Sequence, residues 1–230
     1  MTALEFSSEF DILYNNIMSN QAPGLTEYEK SVFLTQAQEQ IVLGIYKGTF
    51  DGDSFESTEE AKSYLSDLVV QHTYSKEAIT ANSVSSIGEK SYTVSKMPDS
   101  WILVYETAEI KDESVPCLQN GKWVAVIPST LDMFNRIKHN PFRGPNKRNV
   151  IRLSIKDTYE LVSAYQIEQY KIRYIKRPYP IILDGNLDVS INGKYTPYSL
   201  ETPCELHPSL HKSILNTAVS IAKAMWSAKS

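Results

Sequence analysis

Apolar residues fall at helical spacing at both ends of this chain and in short β-prone runs between them, so the fold must be mixed, with helices flanking a sheet. Phe6, Phe10, Leu13 and Ile17 share one helical face and predict a helix from about Ala3 to Ser19. Gln21-Ala22-Pro23-Gly24 ends it, because Pro and Gly together punctuate a turn. Thr26 and Glu29 stand at capping-box spacing, ahead of a second stripe made by Phe33, Ala37, Ile41 and Ile45 that stops at Gly48. Asp51-Gly52-Asp53 reads as a loop, and Ser57 with Glu60 as a second capping box. Ala61, Tyr64, Leu65, Leu68 and Val69 then mark a third helix. At the far end Leu210, Ile214, Ala218, Ile221, Ala222 and Met225 predict a helix from about Pro208 to Trp226, with Pro208 acceptable at its first position.

The texture between these ends is different. Residues 75–100 are rich in Ser, Thr, Lys and Gly around an alternating patch at Tyr92-Thr93-Val94. Trp101-Ile102-Leu103-Val104-Tyr105 and Trp123-Val124-Ala125-Val126-Ile127 have high β propensity, and Gln119-Asn120-Gly121-Lys122 carries hairpin-turn chemistry. A short helical stretch with Leu131, Phe134 and Ile137 follows Pro128-Ser129-Thr130. The Pro- and Gly-containing segment from Asn140 to Asn146 cannot be helical. Val150–Ile155 reads as a strand, and Tyr159–Lys176 as one long β segment with Tyr170, Ile172 and Tyr174 on one face. Arg177-Pro178-Tyr179-Pro180 interrupts pairing before Ile181-Ile182-Leu183. The expected fold class is α+β: a four-helix bundle of three N-terminal helices and one C-terminal helix, with an inserted antiparallel β-rich region. The expected divisions are 1–75, 76–203 and 204–230.

At 42% hydrophobic and 22% charged residues the chain has the composition of a packed protein rather than a disordered one. No apolar run approaches the roughly 20 residues that span a bilayer, so no membrane partner is expected. The opening segment carries Glu5, Glu9 and Asp11 where a secretory signal has basic residues, so synthesis in the cytosol is expected. Cys117 and Cys204 are too few for a disulfide framework.

The net charge of −4 hides a strong asymmetry. Eleven carboxylates in the first 60 residues face only Lys30 and Lys47. From Arg136 to Arg152 the signs reverse: Arg136, Lys138, Arg143, Lys147, Arg148 and Arg152 occur without a carboxylate among them. An acidic end and a basic middle suit head-to-tail contact between copies, where complementary potentials set orientation. A basic loop also suits nucleic acid. The best candidate surface is therefore Arg136, Lys138, Phe142, Arg143, Lys147 and Arg148, its plain alternative being a solvated loop. Trp226 is a further candidate, either bundle core or interface anchor.

Catalytic and ligand-binding constellations are weak. Cys204, His207 and His211 have metal-like spacing, but Pro208 stands where a zinc protease carries its Glu, and no fourth ligand is near. The plain reading is a helix start with two half-exposed histidines. Asp51–Glu56 stops short of a calcium loop, with no Gly at its sixth position. No phosphate-binding Gly motif or nucleophile elbow occurs. No enzyme activity, cofactor or metal is expected.

Several segments resemble virion structural proteins of tailed bacteriophages, above all crAss-like phages infecting Bacteroidales. They are Glu9–Ile17, Ala22–Leu25, Tyr28–Glu39, Asn140–Pro145, Tyr170–Leu183, and Glu205–Pro208 with Ile214 and Ala218. The order of helices, β insertion and final helix is similar to that of head–tail connector proteins, including tail tubular proteins of short-tailed phages. The resemblance implies a subunit of a homo-oligomeric ring, commonly a dodecamer. Such a ring sits beneath the portal protein, contacts other tail or ring proteins and surrounds the passing genomic DNA. It implies a place at the head–tail junction or tail of the virion, after assembly in the host cytoplasm. The alternative reading is an accessory nucleic-acid-binding protein that uses the basic segment 136–152.

Overall fold

A computed structural model of the chain describes residues 1–17, 24–50, 59–82, 90–184, 188–191, 194–197 and 201–227. They form two compact units, one of Met1–Leu68 with Arg177–Ser230 and one of Val69–Lys176.

In the first unit α1 (Ala3–Ile17), α2 (Glu27–Lys47) and α5 (His211–Ser227) pack together. The α1 stripe is rotated from expectation: Ala3, Phe6, Phe10 and Tyr14 are buried and Leu13 lies on the flank. A period of 3.6 allows either choice after Phe10, and the Tyr14 ring packs with the Phe10 ring at 6.1 Å between centroids. The expected capping box of α2 is present, with Glu29 N–H donating to Thr26 Oγ1 at 3.3 Å and Thr26 N–H to Glu29 Oε2 at 2.9 Å. Gly48 closes α2 in the left-handed conformation, φ 75°. Lys30 is buried within the α2 face but keeps its charge, bonding Asp11 at 2.7 Å, Glu27 at 3.0 Å and Ser7 at 3.1 Å. Burial alone pulls its pKa down; the bonds and charges of Asp11 and Glu27 more than offset this, and the net shift is upward.

The expected third helix is corrected. α3 (Glu59–Tyr64) is short, a 3-10 turn covers Ser66–Leu68, and strand β1 (Val69–Tyr74) follows directly. Leu65 and Leu68 are buried as the pattern required, but Val69 and Val70 are β-branched and find partners in Ile175 and Tyr174. Tertiary pairing overrides the local helical stripe. Three long helices, rather than four, form the helical part among the described residues. The Ser57 half of the second capping box, the Asp51–Glu56 loop and the Gln21–Pro23 part of the first turn lie outside the described residues.

A polar row on α2 holds the proline-rich segment. Ser31 Oγ accepts from Leu183 N–H at 3.0 Å, Thr35 Oγ1 from Ile181 N–H at 3.1 Å, and Gln38 Nε2 donates to the Tyr179 carbonyl at 2.9 Å. Positions i, i+4 and i+7 of a helix thus meet every second residue of an extended chain running the opposite way. Pro178 and Pro180 have no N–H to satisfy, which is why prolines that cannot pair in a sheet are harmless here. Gln38 is fully buried, and its Oε1 accepts from Cys204 Sγ at 3.4 Å. Replacing Gln38 with Ala removes its bonds to the Tyr179 carbonyl and to Cys204 Sγ, at an expected cost of about 0.5–1.5 kcal/mol each, measurable by urea unfolding. The first unit also holds a two-stranded ribbon, β9 (Asp188–Ile191) with β10 (Lys194–Pro197).

The second unit is one eight-stranded sheet. Besides β1 it contains β2 (Thr80–Asn82), β3 (Ser91–Ser95), β4 (Ser100–Lys111), β5 (Lys122–Ser129), β6 (Asn149–Ile155), β7 (Thr158–Val162) and β8 (Gln166–Lys176). Their order is β1-β8-β4-β5-β6-β7-β3-β2. The expected single segment Tyr159–Lys176 is corrected to two strands, β7 and β8, separated by a turn at Ser163–Tyr165 where Tyr165 N–H bonds Ser163 Oγ. These strands lie four positions apart in the order, about 19 Å in a flat sheet at ~4.8 Å spacing. The chain from Val162 to Gln166 reaches at most ~14 Å. The sheet must therefore curl, and the Tyr74 hydroxyl on β1 donates to the Ser95 carbonyl on β3 at 2.9 Å. The enclosed core draws on Tyr74, Val94, Ala108, Val124, Val150, Leu161, Ile172 and Tyr174 from strands across the whole sheet.

Candidate interface

The sheet is not wholly antiparallel as expected: β5 and β6 are parallel neighbours. Parallel strands cannot be joined by a tight turn. The connection between them is consequently long, and it carries α4 (Leu131–Ile137) and the whole basic loop. Thr130 caps α4 by accepting from Met133 N–H at 3.3 Å. Phe134 and Ile137 then pack on Ile151, Leu153 and Val162, the face of β6 and β7 opposite the enclosed core.

Beyond α4 the chain is fastened at many points. Asn140 Oδ1 accepts from Phe142 N–H at 2.9 Å and Arg143 N–H at 3.1 Å. Asn146 Nδ2 donates to the Pro141 and Gly144 carbonyls at 3.0 Å, and Asn149 Nδ2 to the Phe142 carbonyl at 3.1 Å. A Cβ on Gly144 would stand 2.8–2.9 Å from the carbonyls of Ile137, Lys138 and Asn140, so only glycine fits. The loop is thus braced by three of its own asparagine side chains.

On it Phe142 is 85% exposed. Arg143, Lys147 and Arg148 are exposed beside it in sequence, Arg136 is exposed on α4, and Lys138 is half-buried at the α4 end. None of these five cations enters an ion pair among the described residues. Arg152 leaves the basic run: its Nε bonds Glu106 at 2.7 Å inside the curled sheet, and its guanidinium stacks on Tyr159. Trp226 is exposed near the end of α5, 36%, and belongs to the first unit.

The sequence patterns missed a neighbouring apolar face. Trp123, Ala125 and Ile127 point outward from β5, while Val124 and Val126 are buried. A continuous apolar run does not reveal which face is exposed. Ala125 lies opposite Asn149 in the β5–β6 register, and Asn149 holds the Phe142 backbone, so this face adjoins the basic loop.

Nothing comparable is assembled for chemistry. Cys204, His207 and His211 go separate ways: Cys204 bonds Gln38, His207 Nδ1 bonds Ser209, and His211 Nε2 meets the Leu206 carbonyl at 3.1 Å while its Nδ1 lies 2.8 Å from the Met1 amino nitrogen. Burial pushes the Cys204 thiol up to about 11 and holds His211 below its ordinary value. Among the described residues no three His, Cys, Asp or Glu side chains converge as a metal site. A cleft of about 660 Å³ at one end of the sheet is edged by Lys76, Lys111, Glu113 and Glu168, whose charges pair with one another.

A scaffold that braces an exposed loop and leaves its cations without carboxylate partners suits contact with other macromolecules. The chain belongs to the phage tail ring protein 3/4 family, whose family model matches residues 1–230. It is similar to Ring protein 3 of Bacteroides phage crAss001, 43% identical over 227 residues, covering 96% of this chain and 95% of the relative. It is also similar to Ring protein 4/5 of the same phage, 36% identical over 241 residues, covering 98% and 94%. The chain is thus a ring or tail structural protein of a crAss-like phage, and its family is a structural one. No helix among the described residues is long and apolar enough to cross a membrane.

Proposed function

We propose that this ring protein is a head–tail connector subunit: it forms a homo-oligomeric ring, commonly twelvefold in such connectors, joins the portal to the tail with other ring proteins, and lines part of the DNA conduit. The observation that carries this reading is the braced loop from Asn140 to Asn149, which presents Phe142 and unpaired cations from a buttressed sheet. Its chemistry is mechanical. Complementary surfaces, basic on the sheet unit and acidic on the helical unit, orient neighbours at encounter.

A second reading is favoured by the same unpaired cations: an accessory protein that binds nucleic acid through Arg143, Lys147 and Arg148. One triple charge reversal, Arg143→Glu with Lys147→Glu and Arg148→Glu, separates the two. In the connector reading the wild-type chain forms rings in negative-stain images, alone or with portal protein, and the reversal abolishes them. In the nucleic-acid reading the monomer binds DNA with an affinity that falls steeply with salt, and the reversal removes that binding. A chain that is absent from purified virions by mass spectrometry would overturn the connector reading.

A further inference from the structure

We infer that neighbouring copies of this chain join by strand addition: β9 of one copy pairs along the free edge of β1 on the next, and the isolated ribbon continues that copy's sheet. The inference rests on the ring reading and gives it a backbone contact.

β1 is one end of the sheet order, with β8 on one side and no strand on the other. Alternate residues of Val69–Tyr74 therefore turn their N–H and C=O groups away from β8. Among the described residues no backbone bond reaches them from that side, and Tyr74 meets β3 through its hydroxyl alone. Sheet edges are ordinarily blunted by a charge, a proline, a bulge or brevity. Val69-Val70-Gln71-His72-Thr73-Tyr74 contains no Asp, Glu, Lys, Arg or Pro, and its register with β8 is unbroken over six residues. β2, the opposite end of the order, is only three residues long.

Such an edge accepts an extended backbone, and the chain holds one that needs a partner. β9 and β10 pair with each other alone, and a two-stranded ribbon is marginal in water until a third strand joins it. The register shows which side of the ribbon is open. Ile191 lies opposite Lys194 across the two-residue connection Asn192-Gly193, and so tight a turn closes with a bond between its first and fourth residues. Ile191 and Lys194 are therefore a hydrogen-bonded pair, and by alternation Ser190 and Asp188 turn their N–H and C=O groups to the outer side of β9. On β10 the outward position opposite Asp188 is Pro197, which has no N–H to offer. β9 is thus the open side of the ribbon, and β1 is long enough to take all four of its residues. The two edges are different surfaces, as a ring contact requires; pairing of β1 with β1 would close a dimer and stop. A second copy of the chain supplies both halves.

Ser190→Pro tests this in the full-length chain. Proline removes the outward N–H of β9 without removing a bond to β10, and should weaken self-association about tenfold or more by light scattering. Ser190→Ala keeps the N–H and should leave association unchanged. Hydrogen exchange gives a readout on the wild-type chain: alternate β1 amides and the Ser190 amide, open in the dilute monomer, become protected in the assembled ring. Strand addition is overturned, while the ring reading stands, by rings whose β1 amides exchange as in the monomer or by protection already complete in the dilute monomer. A Ser190→Pro chain that assembles like wild type, or an equal loss in Ser190→Ala, overturns it too. A chain that remains monomeric at every concentration, with and without portal protein, overturns both.

Discussion

Substituting Glu106 with Ala is expected to destabilise the sheet unit by about 3–5 kcal/mol, the usual penalty for stranding a buried charge. Glu106 and Arg152 have side chains only 6% and 11% exposed, and their 2.7 Å bond lies inside the curled sheet. The Tyr170 hydroxyl donates to the same Glu106 oxygen at 2.6 Å, and the Tyr170 ring stacks on Tyr74. Burial, followed by the carboxylate's charge, holds the Tyr170 hydroxyl far above its ordinary value, so it remains a donor at any working pH. Removing Glu106 leaves a guanidinium and a hydroxyl without their acceptor in a place water does not reach. Urea unfolding followed by the fluorescence of Trp101 and Trp123, in a Trp226→Phe background, measures the loss. The double change Glu106→Leu with Arg152→Met removes both charges and should recover most of the stability, since apolar replacement of a whole buried pair is often neutral or better. If the double variant is as unstable as the single one, the triad is not the source of the penalty.

Phe6→Ala is expected to cost the helical unit about 3–5 kcal/mol. Phe6 is fully buried, and its ring centroid stands 5.4 Å from that of His211 at the start of α5. The truncation opens a cavity between α1 and α5 that a helical backbone cannot close. Hydrogen exchange resolves the result, because the α1 amides should lose protection while those of β4 and β8 keep theirs. The imidazole supplies a second readout. Burial depresses the His211 pKa in the fold, so its contribution to stability is complete above about 6.5, the unfolded value, and is lost as pH falls through the folded value. In the truncated variant water reaches the ring, its pKa should move up toward 6.5 in an NMR titration, and the acid sensitivity of the unit should shrink. A depressed value retained in Phe6→Ala would place the cause of the shift elsewhere than in this packing.

Much of the candidate surface was legible before any fold was known, and the reason is electrostatic. Arg143, Lys147 and Arg148 carry their charge wherever the chain takes them, and no carboxylate nearby in sequence can neutralise them. Phe142 among them, between Pro141 and Gly144, is equally plain. Arg152 shows the limit of that reasoning. It belongs to the same run, yet its partner Glu106 lies 46 positions away and only strand pairing joins them. The exposure of Ile12 on α1 was hidden for a related reason: it looks like any other apolar residue of an amphipathic helix until Tyr14, rather than Leu13, takes the buried side.

What the sequence alone determined is whatever depends on near neighbours. The capping box of Thr26 and Glu29, the stop at Gly48, the strand character of β4 and β5 and the helix beginning at Pro208 all follow from contacts within a few residues, and each is present. What only the tertiary structure decided depends on which distant segment arrives as partner. Val69 left a helical pattern because β8 was there to pair with it, and one predicted long strand became two because β7 and β8 pair with different neighbours. The parallel meeting of β5 and β6 turned a stretch of prolines and arginines into a braced loop. Local free energies of a few tenths of a kcal/mol per residue propose such elements; burial of whole side chains, about 1.5–3 kcal/mol each, disposes of them.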